Sequence, residues 1–168
     1  MKIAYITMSW PTPSETFCVR DVKSLIALGN DLSVFGLKPE ISKKTKLREN
    51  FEVNDIPGGN LSLANYFLGF CLLLLKGKST FLVTRILLKN LNNPKVLIKS
   101  FGLLPSCYYY LNLFKKNNFE VIHLFWGHYP SVLGHLIKIN KLPVKLSMFL
   151  GAYDMTQKLE ISKELTGI

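Results

Sequence analysis

Residues 2–37 decide the fold class, and they read KIAYITMSWPTPSETFCVRDVKSLIALGNDLSVFGL. Lys2 to Met8 is rich in β-branched and aromatic residues, which predicts a short buried strand. Apolar residues then recur at helical spacing from Cys18 to Gly29, and apolar and polar residues alternate from Asp31 to Leu37. A strand, a helix and a strand in this order form a βαβ unit. The sequence therefore predicts an α/β fold with a parallel sheet flanked by helices.

The middle of the chain is predicted to leave the sheet. Lys38 to Asn60 is polar and punctuated by Gly and Pro, which predicts an excursion on the surface. Leu61 to Leu75 is strongly apolar but would span only about 22 Å as a helix, against about 30 Å for a bilayer core. Two interpretations stay open for it: a core helix, or a membrane-facing helix backed by basic residues. Two further helices are predicted over Phe81–Leu91 and Val96–Phe114.

The last third returns to alternating elements. Glu120–Phe125 is predicted as a strand, Pro130–Ile139 as a helix and Val144–Leu150 as another strand. A polar, helix-prone tail follows and ends at Ile168. This order continues the α/β pattern.

Composition and charge narrow the class of partner. The 168 residues are 48% apolar and 19% charged, so one domain with a real core is expected. The formal net charge of +10 favours lipid head groups, nucleotide phosphates or nucleic acid. No acidic residue occurs from Ile56 to Phe119. The same stretch holds eight basic residues: Lys76, Lys78, Arg85, Lys89, Lys95, Lys99, Lys115 and Lys116.

Several activities lack their sequence signatures. No G-x-G-x-x-G follows the first strand, and neither the phosphate loop G-x-x-x-x-G-K-[ST] nor the hydrolase elbow G-x-S-x-G is present. No nucleic-acid-binding module is recognisable, so a nucleic-acid partner is not expected. Cys18, Cys71 and Cys107 lack zinc-ligand spacing, so we expect reduced, buried thiols and no metal site.

The candidate site is the carboxyl edge of the predicted sheet, where open parallel sheets bind their ligands. Three loops meet there: Ser9–Thr16, Trp126–Ser131 and Gly151–Asp154. In the first, Thr12 and Glu15 fit a capping box that opens a helix, and free N–H groups and hydroxyls there suit anions or sugars. The alternative is a capped helix without a ligand.

The other two loops carry further polar and aromatic groups. His128, beside Gly127, has a position suited to a phosphate contact or to acid–base chemistry, or it is merely a solvated loop histidine. His123 lies within a strand and is predicted to be a core histidine. Asp154, together with Tyr153, either accepts hydrogen bonds from sugar hydroxyls or caps the next helix.

Short motifs in these loops resemble family 4 glycosyltransferases of the bacterial capsule, exopolysaccharide and colanic-acid type. Trp10–Phe17 is similar to the family segment P-x-x-S-E-T-F, and Leu25–Phe35 to the run that follows it. Val121–Gly127 is similar to D-x-I-H-x-H-F-G, and Gly151–Asp154 to H-G-Y-D. The chain departs from the family at Phe125 and Gly151, where histidines are usual.

The resemblance implies the Rossmann-like N-terminal, acceptor-side half of a GT-B fold over residues 1–168, truncated before the donor-binding domain with its E-x7-E motif. Such an enzyme transfers a sugar, with retention, from a nucleotide sugar to a glycan or lipid-linked acceptor in surface-polysaccharide synthesis. The nucleotide sugar is a substrate, and no cofactor or metal is implied. The implied acceptor and sugar contacts are Ser14, Glu15, Thr16, Gly127, Tyr153 and Asp154, with His128 as the catalytic or phosphate contact.

The same resemblance implies a cytoplasmic protein, with an anionic membrane surface on the inner face as a further partner. Without the donor domain, or a partner chain that supplies it, the polypeptide is expected to show no turnover. The alternative is a non-catalytic, membrane-associated binding module that acts with a separate partner chain.

Overall fold

The computed structural model of the chain describes residues 1–40, 45–89, 93–151 and 160–166. Within them, five parallel strands form one sheet in the order β3-β2-β1-β4-β5. The strands are β1 (Lys2–Thr7), β2 (Asp31–Glu40), β3 (Gly58–Ser62), β4 (Val121–Phe125) and β5 (Lys145–Phe149). Helices flank this sheet, so the predicted α/β, Rossmann-like fold is confirmed.

Apart from α2 (Thr45–Asn50), which was not predicted, the helices follow the predicted order with shifts at their ends. They are α1 (Thr16–Ala27), α2 (Thr45–Asn50), α3 (Leu63–Leu75), α4 (Gly77–Leu88), α5 (Pro94–Asn117), α6 (Ser131–Ile139) and α7 (Glu160–Thr166). The central strand β1 pairs with β2 on one side and with β4 on the other, so that Ile6 lies between Phe35 and Leu124.

Alternate side chains of the sheet enter two separate cores. Ile3 and Tyr5 of β1 pack with Cys18 and Val22 of α1 on one face. The other face, with Ile6 and its neighbours, packs against the helices from α3 to α7. The larger core lies on this second side.

The predicted surface excursion over Lys38–Asn60 is wrong in part. β2 continues to Glu40, α2 follows, and β3 pairs in parallel with β2. The Arg48 guanidinium holds the turn before β3, because it donates to the carbonyls of Val53 at 3.1 Å and Ile56 at 2.7 Å. Gly-Gly-Asn has little strand propensity of its own, so β3 depends on backbone pairing that the side-chain pattern does not reveal.

Of the two interpretations left open for Leu61–Leu75, the core helix fits only in part. Gly69 is the buried residue of α3, and it packs against Pro105 of α5, while much of the rest of α3 is exposed. Within the described residues, none of the helices is both long and apolar enough to cross a bilayer by itself. Among the described helices, only α3 and α4 together have the length and apolar composition of a membrane span, and their axes are bent by 99° relative to each other.

Candidate ligand site at the carboxyl edge of the sheet

The topology places a crevice between β1 and β4. From β1 the chain crosses over to β2 on one side, whereas from β4 it crosses to β5 on the other side. The loops that leave β1 and β4 therefore separate at the carboxyl edge. This is the switch point at which open α/β sheets bind ligands.

Trp126 is the centre of this edge. Its indole Nε1 donates a hydrogen bond of 3.2 Å to the Glu15 carboxylate, which lies just before α1. Phe17 of α1 meets the indole edge-on at 5.8 Å between ring centroids, and Phe125 meets it at 5.5 Å. The first two predicted loops are thus joined by direct side-chain contact.

The backbone of Trp126 is strained. Its φ of 83° lies in the left-handed region, where a bulky aromatic residue is an outlier with a cost on the order of 1–3 kcal/mol. Such strain persists only where the surroundings hold it. Here the Glu15 hydrogen bond and the ring contacts hold the indole at the switch point.

The third predicted loop reaches the same indole through Gly151. A Cβ at this position would lie 1.9 Å from Cζ3 of Trp126, so only glycine fits there. The histidine that the glycosyltransferase family usually has at this position is therefore incompatible with the observed place of Trp126. The first two predicted loops, and Gly151 at the start of the third, therefore meet at Trp126, which was not among the predicted site residues.

His128 lies on the far end of the β4 loop. Its ring is 6.0 Å from the Trp126 ring and 4.7 Å from that of Tyr129. The Ser131 hydroxyl donates to the Gly127 carbonyl and so closes the turn into α6. The structure thus brings His128 and Glu15 to the same indole, with Gly127 buried between β4 and α6.

The capping-box prediction at Thr12 is wrong. The Thr12 hydroxyl donates to the Ser9 carbonyl at 2.8 Å, and α1 begins only at Thr16, with Glu15 at its N-cap position and no side-chain cap. The physical reason is competition for the same groups, because the loop turn engages Thr12 and the Trp126 indole engages Glu15. Ser14 and Thr16 are exposed at the start of α1.

The remaining predicted residues lie elsewhere. Tyr153 and Asp154 are outside the described residues. His123 lies on the face of β4, where its Nδ1 is 2.8 Å from the Ser147 hydroxyl and its ring is 4.8 Å from that of Tyr5. Burial lowers the pKa of His123, against a weaker raising effect of Asp21. His123 is half-buried on the face of the sheet and belongs to neither core, so the prediction of a core histidine is wrong in part. It is also not part of the group around the Trp126 indole, which we call the Trp126 cluster: Glu15, Phe17, Phe125, Trp126, His128 and Gly151.

Sequence reasoning missed the support under the first loop. Asn60 of β3 accepts a hydrogen bond from the Trp10 N–H at 2.7 Å, and its amide donates to the Trp10 carbonyl at 2.6 Å. The same amide donates to Glu40 at 2.6 Å. Asn60 therefore positions the loop after β1. Only a polar residue beside two glycines marked it in the sequence, which is too weak a signal.

The described residues contain no group of three His, Cys, Asp or Glu side chains placed to hold a metal ion. Comparisons of the chain with models of protein families, with curated proteins and with solved structures found no match. The resemblance of its motifs to family 4 glycosyltransferases thus stays a prediction.

Proposed function

We propose that this chain is the acceptor-side part of a retaining, GT-B-type glycosyltransferase, in which the Trp126 cluster binds a glycan at the carboxyl edge of the sheet. The observation that carries the proposal is that Glu15, His128 and Gly151, which come from three motif-bearing segments, all lie against one indole. Those segments are the ones whose residues resemble family 4 glycosyltransferases.

The chemistry of the cluster suits a sugar. An indole offers a broad apolar face together with a polar edge, and a sugar ring likewise has an apolar C–H face and polar hydroxyls. One Glu15 oxygen accepts the hydrogen bond from Trp126, and this bond orients the carboxylate. In the proposal, the second oxygen accepts a hydrogen bond from a sugar hydroxyl. Sites for small ligands are typically lined by aromatic and apolar side chains with a small number of polar groups among them.

His128 supplies the titratable group of the proposed reaction. In the assembled enzyme it either donates to the phosphate that leaves with the nucleotide or takes the proton of the acceptor hydroxyl. The donor-binding domain or a partner chain supplies the charge stabilisation of the transition state. The donor is a nucleotide sugar, which places the reaction in the cytoplasm.

A glycan array probed with the purified chain tests the binding step. We expect retention on a subset of glycans, and substitution of Trp126→Leu or Glu15→Ala should weaken the affinity for those glycans at least about tenfold, or ~1.4 kcal/mol. Phe81→Ala and Glu120→Ala are matched controls, because Phe81 and Glu120 are exposed and outside the cluster. Retention that is equal in all four variants would contradict the proposal, as would an array without retained glycan.

Turnover provides the second arm of the test. The polypeptide of these 168 residues is expected to release no nucleoside diphosphate from UDP-, GDP- or dTDP-sugars, because the proposal assigns the donor to a separate domain or partner chain. Release by this polypeptide alone would show that the proposed division of labour is wrong.

A further inference from the structure

α3 exposes an apolar stripe that no charged residue interrupts. Leu63, Phe67, Phe70 and Leu74 are spaced by four, three and four residues and share one side of the helix; we call them the α3 stripe. Phe67 is 68% exposed and Leu74 is 66% exposed. Contiguous exposed apolar surface of this kind marks an interaction site.

The stripe is held outward by the opposite side of the helix. Gly69 packs against the Pro105 carbonyl so closely that a Cβ would lie 2.0 Å from that oxygen. The Tyr66 hydroxyl donates to the Gly102 carbonyl at 2.8 Å. α3 is therefore fixed on α5, and rotation that would bury the α3 stripe would break both contacts.

Beside the end of the α3 stripe lies a surface pocket of about 500 Å³, between the α3–α4 junction and the ends of α5 and α6. We call it the lysine pocket because Lys76, Lys78 and Lys115 line it. Its apolar wall includes Leu75, which is 81% exposed and directly follows the stripe residue Leu74. The lysine pocket therefore begins next to the C-terminal end of the α3 stripe.

The lysine pocket gathers like charges, and no acidic residue is among its described lining residues. The ion pairs among the described residues are Lys23–Glu52 and Lys89–Glu164, and neither involves a pocket lysine. Burial lowers the pKa of Lys76, and the neighbouring Lys115 ammonium lowers it further. A bound anion would relieve this repulsion.

We propose that the α3 stripe and the lysine pocket together dock the protein on an anionic phospholipid bilayer, with the stripe among the acyl chains and a headgroup phosphate in the pocket. At 13 residues, α3 is about 20 Å long, a length that suits a helix lying in the interface. This proposal does not depend on the proposed glycosyltransferase function.

Charge favours the bilayer over a second copy of the chain. In a two-fold dimer the same patch faces itself, so the lysine pocket of one copy would be brought near that of the other. The chain carries a net +10, which adds to that repulsion. An anionic bilayer instead supplies both an apolar phase and negative charge.

The lysine pocket and the Trp126 cluster lie at opposite edges of the sheet. α5 and α6 end at the lysine pocket immediately before β4 and β5 begin, so the pocket lies at the amino edge of the sheet. The Trp126 cluster lies at the carboxyl edge. The two surfaces therefore do not overlap.

Vesicle flotation with the full chain tests the docking surface. We expect binding to vesicles of phosphatidylcholine mixed with phosphatidylglycerol, little binding to phosphatidylcholine alone, and weaker binding at high salt. Lys76→Gln/Lys115→Gln should lower partitioning about tenfold or more. The matched control is Arg20→Gln/Lys145→Gln, which removes the same charge from exposed residues elsewhere and should have a much smaller effect.

A second pair of variants tests the α3 stripe. Phe67→Ser/Leu74→Ser should also lower partitioning about tenfold or more, whereas Ile26→Ser/Leu28→Ser, at exposed apolar residues of and after α1, should not. Circular dichroism verifies that each variant is folded. Because all substituted residues except Lys76 are exposed, folding should persist.

Three results would overturn the docking proposal. If the test and control pairs lost vesicle partitioning equally, net charge or general hydrophobicity would explain the binding and no specific docking surface would be needed. Release from vesicles by inorganic phosphate at constant ionic strength would assign the lysine pocket to a soluble anion. A dimer in solution that Phe67→Ser/Leu74→Ser converts to a monomer would assign the α3 stripe to a second copy.

Discussion

Glu15 and Trp126 are 111 residues apart in the chain, yet the Glu15 carboxylate accepts a hydrogen bond of 3.2 Å from the Trp126 indole. The bond joins the start of α1 to the end of β4. It crosses the switch point between β1 and β4, where the strand order of the parallel sheet reverses. It therefore links the first βαβ unit to the second half of the fold at the proposed ligand site.

Removal of this hydrogen bond should be measurable as a loss of stability. Glu15→Ala is expected to lower the free energy of unfolding by roughly 1 kcal/mol, because the indole N–H loses its acceptor. Glu15→Gln keeps a carbonyl acceptor and should lose less. Urea unfolding followed by tryptophan fluorescence measures both variants, and an unchanged free energy of unfolding in Glu15→Ala would show that the bond contributes nothing.

The contact between Gly151 and Trp126 predicts a coupled pair. Gly151→Ala places a Cβ against the indole and should cost about 1–3 kcal/mol. In a Trp126→Leu background the same substitution should cost much less, because the ring is gone. A double-mutant cycle measures the interaction free energy; a value near zero would mean that the two residues do not meet.

The close approach of α3 to α5 predicts opposite effects at two helical glycines. Gly69→Ala would drive a Cβ into the Pro105 carbonyl, so we expect a loss of about 1–3 kcal/mol. Gly102→Ala, in α5, meets nothing within 4 Å and should stabilise the protein by about 0.5–1 kcal/mol. Thermal unfolding of both variants measures the difference, and a tolerated Gly69→Ala would contradict the observed packing.

His135 predicts a dependence of stability on pH. Its Nε2 lies 2.7 Å from the Ile161 carbonyl, and burial lowers its pKa despite the raising effects of that carbonyl and of Glu164; Lys138 and Lys89 lower it further. The unfolded chain therefore binds a proton at higher pH than the folded one. The contribution of neutral His135 to the free energy of unfolding is therefore present above about pH 6.5 and is lost as the pH falls below that value.

Urea unfolding at about pH 7.5 and about pH 5.5 measures this loss. His135→Gln keeps an N–H donor without a titratable group, so the loss between the two pH values should be smaller in that variant. An identical loss in wild type and variant would show that His135 does not cause the pH dependence.

The thiols should differ in their rate of alkylation. Burial raises the pKa of Cys18 to about 12, and Cys107 is fully buried, whereas Cys71 on α3 is half-buried. Iodoacetamide should therefore modify Cys71 first in the folded protein, since the accessible thiolate is the reacting form. Peptide mass mapping identifies the site, and equal early modification of Cys18 would contradict the structure.

Much of the candidate site was predictable because parallel topology follows from local patterns. The strand, helix and strand between Lys2 and Leu37 imply a parallel sheet, and a parallel sheet brings the loops after β1, β4 and β5 to one edge. The role of Trp126 was not predictable, since its contacts with Glu15 and Gly151 join residues far apart in the chain. β3 escaped prediction because Gly58–Ser62 forms a strand through backbone pairing with β2.

By itself, the sequence determined the fold class, the order of most helices and strands, and the clustering of positive charge in the middle of the chain. Periodicity and charge are local properties that each segment carries on its own. Only the tertiary structure decided that Glu15 turns to Trp126, that Gly69 faces α5 and leaves the α3 stripe exposed, and that Lys76 and Lys115 share a pocket. Those relationships depend on which side each helix presents to the sheet, and packing across the whole chain sets that side.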